Sequence, residues 1–570
     1  MRGPLIRLGL IIGAALALAG AAATQDPANS PEALRAEAYE AAQWAMSSDA
    51  AEALARVSAR YAEGQGELGA LAERRERLLA GRDAQERELA TLYGVDGDAA
   101  RTRRAELTDA YEAGLDALKA VEAELDARFP AYAELVAPRA LSVSETQALL
   151  NPDEALLLVL VNPEATYVWG ISRDRIVWAR AADLGEAELT RSVGRLRSTL
   201  TTAGARRDEG DPVVDPMIWA GRGGLSFDRA EAHRLYKSLI EPVESAFEGK
   251  TTLLSVVSGP LTGLPLAVLS TAAPGGADDA GWLIDRYALA TLPAASSLKS
   301  LRCHLVVGAA RHPGCPPALT ARAEVRETGV RLPLVAYGAP TLGGAAVSGP
   351  RGAPTDADAV RGEGALADPA KLRALPSLPG SKAELEALAA GYPSGVVRIG
   401  AAATETAVKA TDAEALSRAR FVVFSTHGLM AGAAFAEPGL VLTPPETATE
   451  IDDGYLTASE AAGLRLNADL VVLSACNTAA PDGRPGAEGL SGLARAFFYA
   501  GGRAVLVSHW AVSDQATQAL IGRTFSGLDA YGADPAARAR ALRDASLAVR
   551  AEPRWRHPAY WAAFTLVGAP

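Results

Sequence analysis

Cysteine is scarce in this 570-residue chain, which carries three, Cys303, Cys315 and Cys476. So sparse a set excludes a small disulfide scaffold, which needs bonded pairs at high density. Basic charge is also short: 68 Asp and Glu against 56 Lys and Arg leave a formal net charge of -12. That balance argues against nucleic acid as the main partner, because phosphate binding needs a basic surface. Clusters such as Arg101–Arg104 are interleaved with carboxylates and read as a solvated face. Beyond the N-terminus, no segment offers the ~18 uninterrupted apolar residues of a membrane-spanning helix. Metal-ligand spacing is missing, since His233, His304, His312 and His557 stand in scattered helical or loop contexts. A phosphate-cradling loop is missing too, because "LGGAAVSG" has no following lysine or helix start. Neither Ser425 nor Ser474 lies in a G-x-S-x-G elbow, which weakens a serine-esterase reading. None of these patterns calls for a cofactor.

What is present begins with an address. Arg2 and Arg7 precede "LGLIIGAALALAG", which runs into Ala21-Ala22-Ala23. These are the basic region, short apolar region and small-residue cleavage site of a secretory signal peptide, predicted to span residues 1–23. The mature chain is then expected outside the cytoplasm, in a periplasm given the Ala- and Arg-rich composition; an uncleaved anchor is the alternative. No cysteine stands at the cleavage site to take a lipid. Export also changes how the cysteines read. Cys303 and Cys315 lie twelve apart in "RCHLVVGAARHPGC", a loop that one disulfide would close in an oxidising compartment. The spacing alone leaves that pairing open. Cys476 is the odd thiol, either reactive or simply buried.

Residues 24–139 read as a helical region. Leu107, Tyr111, Leu115, Leu118, Val121, Leu125 and Phe129 recur at steps of three and four, one stripe of a long helix. Leu68, Leu71, Leu78, Leu89 and Leu92 form a weaker stripe on an earlier helix, with "YGVDGDAA" as the turn of an antiparallel hairpin. A shorter helical pair precedes it around "EAYEAAQWAMSSDAAEALARVSARYA". At most one degenerate tetratricopeptide-like unit is suggested. This region is a surface for a protein partner or a brace for the rest.

From residue 140 the character changes. "ALLLVLV", "TYVWGI" and "RIVWAR" are short strands, followed by "LLSVVSG", "LPLVAYG", "GVVRIG", "RFVVFSTHG", "DLVVLSAC" and "RAVLVSHW". These later runs are apolar throughout rather than alternating, as in strands covered on both faces. Helical stretches at 381–390, 404–410 and 489–499 fall between them. The pattern predicts an α/β layered fold with a mainly parallel sheet over residues 140–570. Residues 200–225 and 341–374 are rich in Gly, Pro and Ala and read as connectors open to proteases.

In parallel sheets, functional groups gather beyond the carboxyl ends of strands. "FVVFSTHG" delivers His427 there, and "LVVLSAC" delivers Cys476, 49 residues on. A cysteine nucleophile needs a base to form thiolate and an acid for the leaving amine, and one imidazole serves both. Two neighbouring strands, about 4.8 Å apart, would bring the pair together. Ser425 and Thr426 are expected to satisfy backbone groups. In the loop between these strands, Glu437, Asp452 and Asp453 lie near a prospective substrate cleft. There a carboxylate either selects a basic residue or is simply solvated.

"FSTHG", "LVVLSACNTA", "GAEGLSGLARAFFYAGGRAVLVSHWAVSD" and the terminal "HPAYWAAFTLVG" resemble the CHAT family, with "SVVSGPLTGLPLAVL", "LPSLPGSKAELEALA" and "GAAATETAVKA" as further landmarks. CHAT domains are caspase-like and often follow tetratricopeptide arrays; here such an array is missing or degenerate. The resemblance implies a caspase/separase-type fold with His427 and Cys476 as the catalytic dyad. It also implies an oxyanion hole from the N–H groups of Gly428 and Cys476, and it leaves His509 outside the dyad. The expectation is an exported cysteine endopeptidase acting on a protein or peptide. A catalytically silent scaffold that binds a partner through its helical region is the alternative.

Overall fold

The structure is a computed structural model. It describes residues 31–46, 67–92, 97–128, 140–200, 227–273, 281–304, 312–315, 331–344, 360, 366–429, 437–475, 478–479, 492–510 and 512–570. The signal-peptide reading of residues 1–23 and the candidate nucleophile Cys476 lie outside these residues, as do 201–225, 345–359 and 361–365 of the connectors.

Apolar runs become strands where the sequence predicts them. β1 (Glu154–Val161), β2 (Thr166–Ile171) and β3 (Ile176–Ala181) form an antiparallel meander. β4 (Thr252–Val257) and β5 (Ala288–Thr291) continue it in parallel from β1. β6 (Leu332–Gly338), β7 (Val396–Ile399), β8 (Ala419–Ser425), β12 (Leu470–Ser474) and β13 (Ala504–Ser508) make the second half, all parallel. β14 (Phe564–Gly568) joins the halves, parallel to β5 and antiparallel to β13. The order is β3-β2-β1-β4-β5-β14-β13-β12-β8-β6-β7, a mainly parallel sheet as expected. β12 and β13 are buried at every position, so side chains on both faces are covered. A separate three-stranded sheet of β9 (Gly428–Leu429), β10 (Gly439–Val441) and β11 (Tyr455–Thr457) has its own small core with Val360, Ala367, Leu372 and Leu375.

Among the helices, α1 (Pro31–Ala45) packs on α4 (Val143–Leu149). Tyr39 and Thr146 share a hydroxyl–hydroxyl bond of 3.0 Å, and the Gln43 amide bonds both the N–H and the C=O of Leu141. Tyr39 and Ala42 thereby join the core of the large sheet. α2 (Glu67–Leu92) and α3 (Asp98–Arg128) form the antiparallel hairpin read from the stripes, with Leu107, Leu118 and Val121 buried. Its ion pairs Arg75–Glu122 and Arg103–Glu88 run in the antiparallel sense. The sheet is flanked by α5 (Glu186–Leu200), α6 (Arg229–Leu239), α7 (Pro379–Gly391), α8 (Gly492–Ala500), α9 (Asp514–Tyr531) and α10 (Ala537–Arg550). Among the described residues no helix is long and apolar enough to cross a membrane.

Cys303 and Cys315 are joined by a disulfide. A loop of this size contributes about 3 kcal/mol in the chain-entropy account. Beside it, Arg302 forms an ion pair of 2.5 Å with the fully buried Glu154 at the start of β1.

Candidate active site

The two motif-bearing strands are neighbours. β8 and β12 pair in parallel, with Ser425 opposite Ser474. His427 stands two residues beyond the first serine and Cys476 two beyond the second in the sequence. β6 ends beside them, where Gly338 lies so close to the Ser425 carbonyl oxygen that a Cβ would collide with it. The next N–H, of Ala339, donates to that oxygen at 3.0 Å.

After Ser425 the chain leaves the large sheet for the small one. Thr426 N–H donates to the Ser474 carbonyl at 3.3 Å, and its hydroxyl donates to the Val441 carbonyl. The His427 carbonyl accepts from Val441 N–H at 3.0 Å, and Gly428 pairs with Leu440. Thr426 therefore does the backbone-satisfying work expected of it. His427, at the crossing between the sheets, is 1% exposed. Its Nε2 lies 2.8 Å from the Pro376 carbonyl oxygen. A carbonyl only accepts, so Nε2 carries a proton, and in the neutral form of the ring the lone pair lies on Nδ1. This tautomer makes Nδ1 the basic nitrogen.

The described residues on either side of Cys476 and Asn477 are tied to Ser508, the last residue of β13. Its hydroxyl donates to the Ala475 carbonyl, its N–H donates to Thr478 Oγ1 at 2.8 Å, and its carbonyl accepts from Ala479 N–H at 2.8 Å. Ser474 in turn donates to Glu384 Oε2 on α7 at 3.1 Å. Sequence reasoning missed Pro376, Ser508 and Glu384. They come from distant segments, and the only available signal was that each falls inside a landmark string.

The other candidates have different surroundings. His509 Nε2 meets Thr565 Oγ1 at 3.0 Å, and burial pushes its pKa down to about 3. It is a neutral core histidine near pH 7. Asp453 accepts from the N–H groups of Ala367 and Tyr455 at 2.7 and 2.9 Å. Asp452 Oδ2 accepts from the N–H and hydroxyl of Thr406 at 3.1 and 2.7 Å. Glu437 accepts from the N–H and hydroxyl of Ser459. All three carboxylates accept from backbone N–H groups.

Behind that loop, Lys409 bridges Glu405 and Glu460 at 2.7 Å each, and Glu405 also accepts from the N–H groups of Asp453 and Gly454. Burial, with Glu460 nearby, pushes Glu405 up to about 7 against the pull of Lys409. Burial raises Asp453 as well. For Glu460 burial acts upward, but hydrogen bonds from Lys409 and Thr457 hold it below its ordinary value. A carboxyl raised in the folded state contributes stability below its unfolded pKa of about 4.3, and that contribution is lost as pH rises to about 7. The Glu460 contribution disappears only at more acid pH. Glu405 therefore adds stability at pH 5.5 that is gone at pH 7.5, opposing the buried neutral histidines His509 and His557, which lose stability as pH falls. Glu405→Gln should lower the melting temperature more at pH 5.5 than at pH 7.5 and so change the slope between them. Equal slopes for both proteins would refute the assignment.

Residues 229–569, more than half of the chain, match the CHAT domain family. Among curated proteins, tetratricopeptide repeat protein 28 of Mus musculus is 39% identical over 114 residues, which are 20% of this chain and 4% of that protein. The similarity thus spans a small part of the relative's length. Among solved structures, the separase–securin complex of Saccharomyces cerevisiae superposes at a TM-score of 0.39 and 10% identity, covering 86% of this chain and 38% of that one. The Arg specific cysteine proteinase gingipain R gives a TM-score of 0.31 at 10% identity, covering 68% and 74%.

Proposed function

The chain belongs to the CHAT domain family, and from that premise we propose that it is an exported cysteine endopeptidase acting through a Cys476–His427 dyad. One observation carries the reading: adjacent parallel strands, in register at Ser425 and Ser474, lead by equal steps to a histidine and a cysteine. The tautomer of that histidine leaves Nδ1 as the base.

In this reading Nδ1 of His427 takes the Cys476 thiol proton, and the thiolate sulfur attacks the carbonyl carbon of the scissile peptide. Negative charge on the carbonyl oxygen meets the N–H groups of Gly428 and Cys476. The imidazolium returns its proton to the leaving amine as the C–N bond breaks, which leaves a thioester on Cys476. Water, deprotonated by the same Nδ1, then releases the acid and restores the thiol. Export suits the disulfide at Cys303–Cys315, which an oxidising compartment preserves. Asp452 and Asp453 are left out of this reading, because Asp453 and the Oδ2 of Asp452 already accept from neighbouring N–H groups.

The test is covalent labelling. The purified chain, incubated with a panel of peptidyl acyloxymethyl ketones, is expected to gain one adduct, mapped by mass spectrometry to Cys476. Absence of any adduct across the panel, with the thiol shown to be reduced, would return the chain to the silent-scaffold reading.

A further inference from the structure

One nine-residue stretch, "PSLPGSKAE" from Pro376 to Glu384, touches both motif-bearing strand ends. At its start the Pro376 carbonyl holds His427 Nε2 at 2.8 Å. At its end Glu384, 1% exposed, takes the Ser474 hydroxyl at 3.1 Å. Between them Gly380 N–H donates to the Asp514 carboxylate at the start of α9, at 2.5 Å. A Cβ at Gly380 would collide with that carboxylate, so the contact needs glycine. The stretch is stiff by construction. Pro379 stands at the first helical turn, where its fixed φ suits the helix, and residues from Ser381 onward are held in α7 with Leu385 and Leu388 in the core.

We propose that Glu384 is a positioning residue of the dyad. Its carboxylate fixes the end of β12 against the same rigid stretch that fixes His427, and so sets the distance between base and nucleophile. The inference rests on the dyad reading above. A buried carboxylate is an expensive way to anchor a strand end. A plain packing role would be met by an apolar side chain of similar size. The hydrogen bond to Ser474 supplies what packing lacks, a fixed direction two residues before Cys476. Misplacement of a reacting group by about 1 Å lowers a rate by about 10²-fold, so a loose strand end would be felt in the chemistry before it is felt in the fold.

The experiment uses iodoacetamide as a small thiol probe, with adducts at Cys476 quantified by mass spectrometry at pH 6.5. His427 is expected to accelerate alkylation in the folded wild-type chain. Glu384→Ala should slow it about tenfold or more, and Ser474→Ala should do the same by removing the other end of the bond. Glu384→Gln keeps an oxygen for the Ser474 hydroxyl and should stay within about threefold of wild type. All variants should alkylate alike in urea. If Glu384→Ala lowers only the melting temperature while the folded-state rate holds, the inference is overturned. Should Glu384→Ala fail to fold, the rates of Ser474→Ala and Glu384→Gln decide the matter in the same way. If wild type and His427→Ala alkylate equally fast, the dyad reading itself fails, a result distinct from either of those.

Discussion

His427→Ala is expected to slow labelling of Cys476 by a peptidyl ketone, and cleavage of any peptide the chain accepts, by about 10²- to 10⁴-fold. The imidazole is asked to act twice, on the thiol and on the leaving amine. His509, the other histidine at a strand end, is held neutral by burial and faces Thr565. Removing a side chain that is 1% exposed also leaves a void, so the alanine variant confounds chemistry with packing. His427→Gln separates the two. Its terminal amide can still donate to the Pro376 carbonyl, but no nitrogen in it is basic. The glutamine variant should therefore match alanine in rate while approaching wild type in melting temperature. A glutamine variant that keeps wild-type rates would remove His427 from the mechanism.

Arg302→Met is expected to destabilise the fold by about 3–5 kcal/mol, read from the midpoint of urea unfolding at constant slope. Glu154 is 0% exposed and receives three donors: the Asn151 N–H at 2.7 Å, the Asn151 side-chain amide at 2.9 Å and the Arg302 guanidinium at 2.5 Å. Losing the cation leaves a carboxylate sealed at the head of β1, where water cannot replace the partner. Arg302 also bonds the Leu149 carbonyl at the end of α4, so two elements lose their tie. The double change Glu154→Gln with Arg302→Met should recover part of the loss, because the orphaned charge is gone. Arg128→Ala, which breaks the exposed pair with Glu124, should move the midpoint by less than about 0.5 kcal/mol. If the buried and exposed pairs prove equal, burial is not what gives Arg302 its weight.

The parallel half of the sheet was legible because β6, β8, β12 and β13 are apolar without alternation. The pattern fails where strands are short. β5 has four residues, "ALAT", and β9, β10 and β11 have two or three each, too few for any period to show. In the candidate site, His427 was readable because it follows a strand at its carboxyl end. Pro376, 51 residues from His427, and Glu384, 90 from Ser474, were not. Their contribution is a carbonyl in one case and a buried carboxylate on a helix in the other. Neither gives a local signal, because the contact exists only after β8, β12 and α7 have packed. The acidic loop misleads for a related reason. Asp452 and Asp453 look available in the sequence, yet nearby N–H groups donate to Asp453 and to the Oδ2 of Asp452.

The placement of β14 has a consequence for the order of assembly. The last strand of the sequence takes the sixth of eleven places in the sheet, between β5 and β13. Until residues 564–568 have been synthesised, β5 and β13 each present an open edge, and the two halves cannot be one layer. Ser508, which ties down both flanks of Cys476, is paired with Phe564 across that seam. A chain that lacks β14 lacks the backing for that tie, so the strand end that leads to Cys476 is not fully held until β14 is in place. For a protein proposed to cut other proteins, that order would hold back activity until the two halves of the sheet are joined through β14.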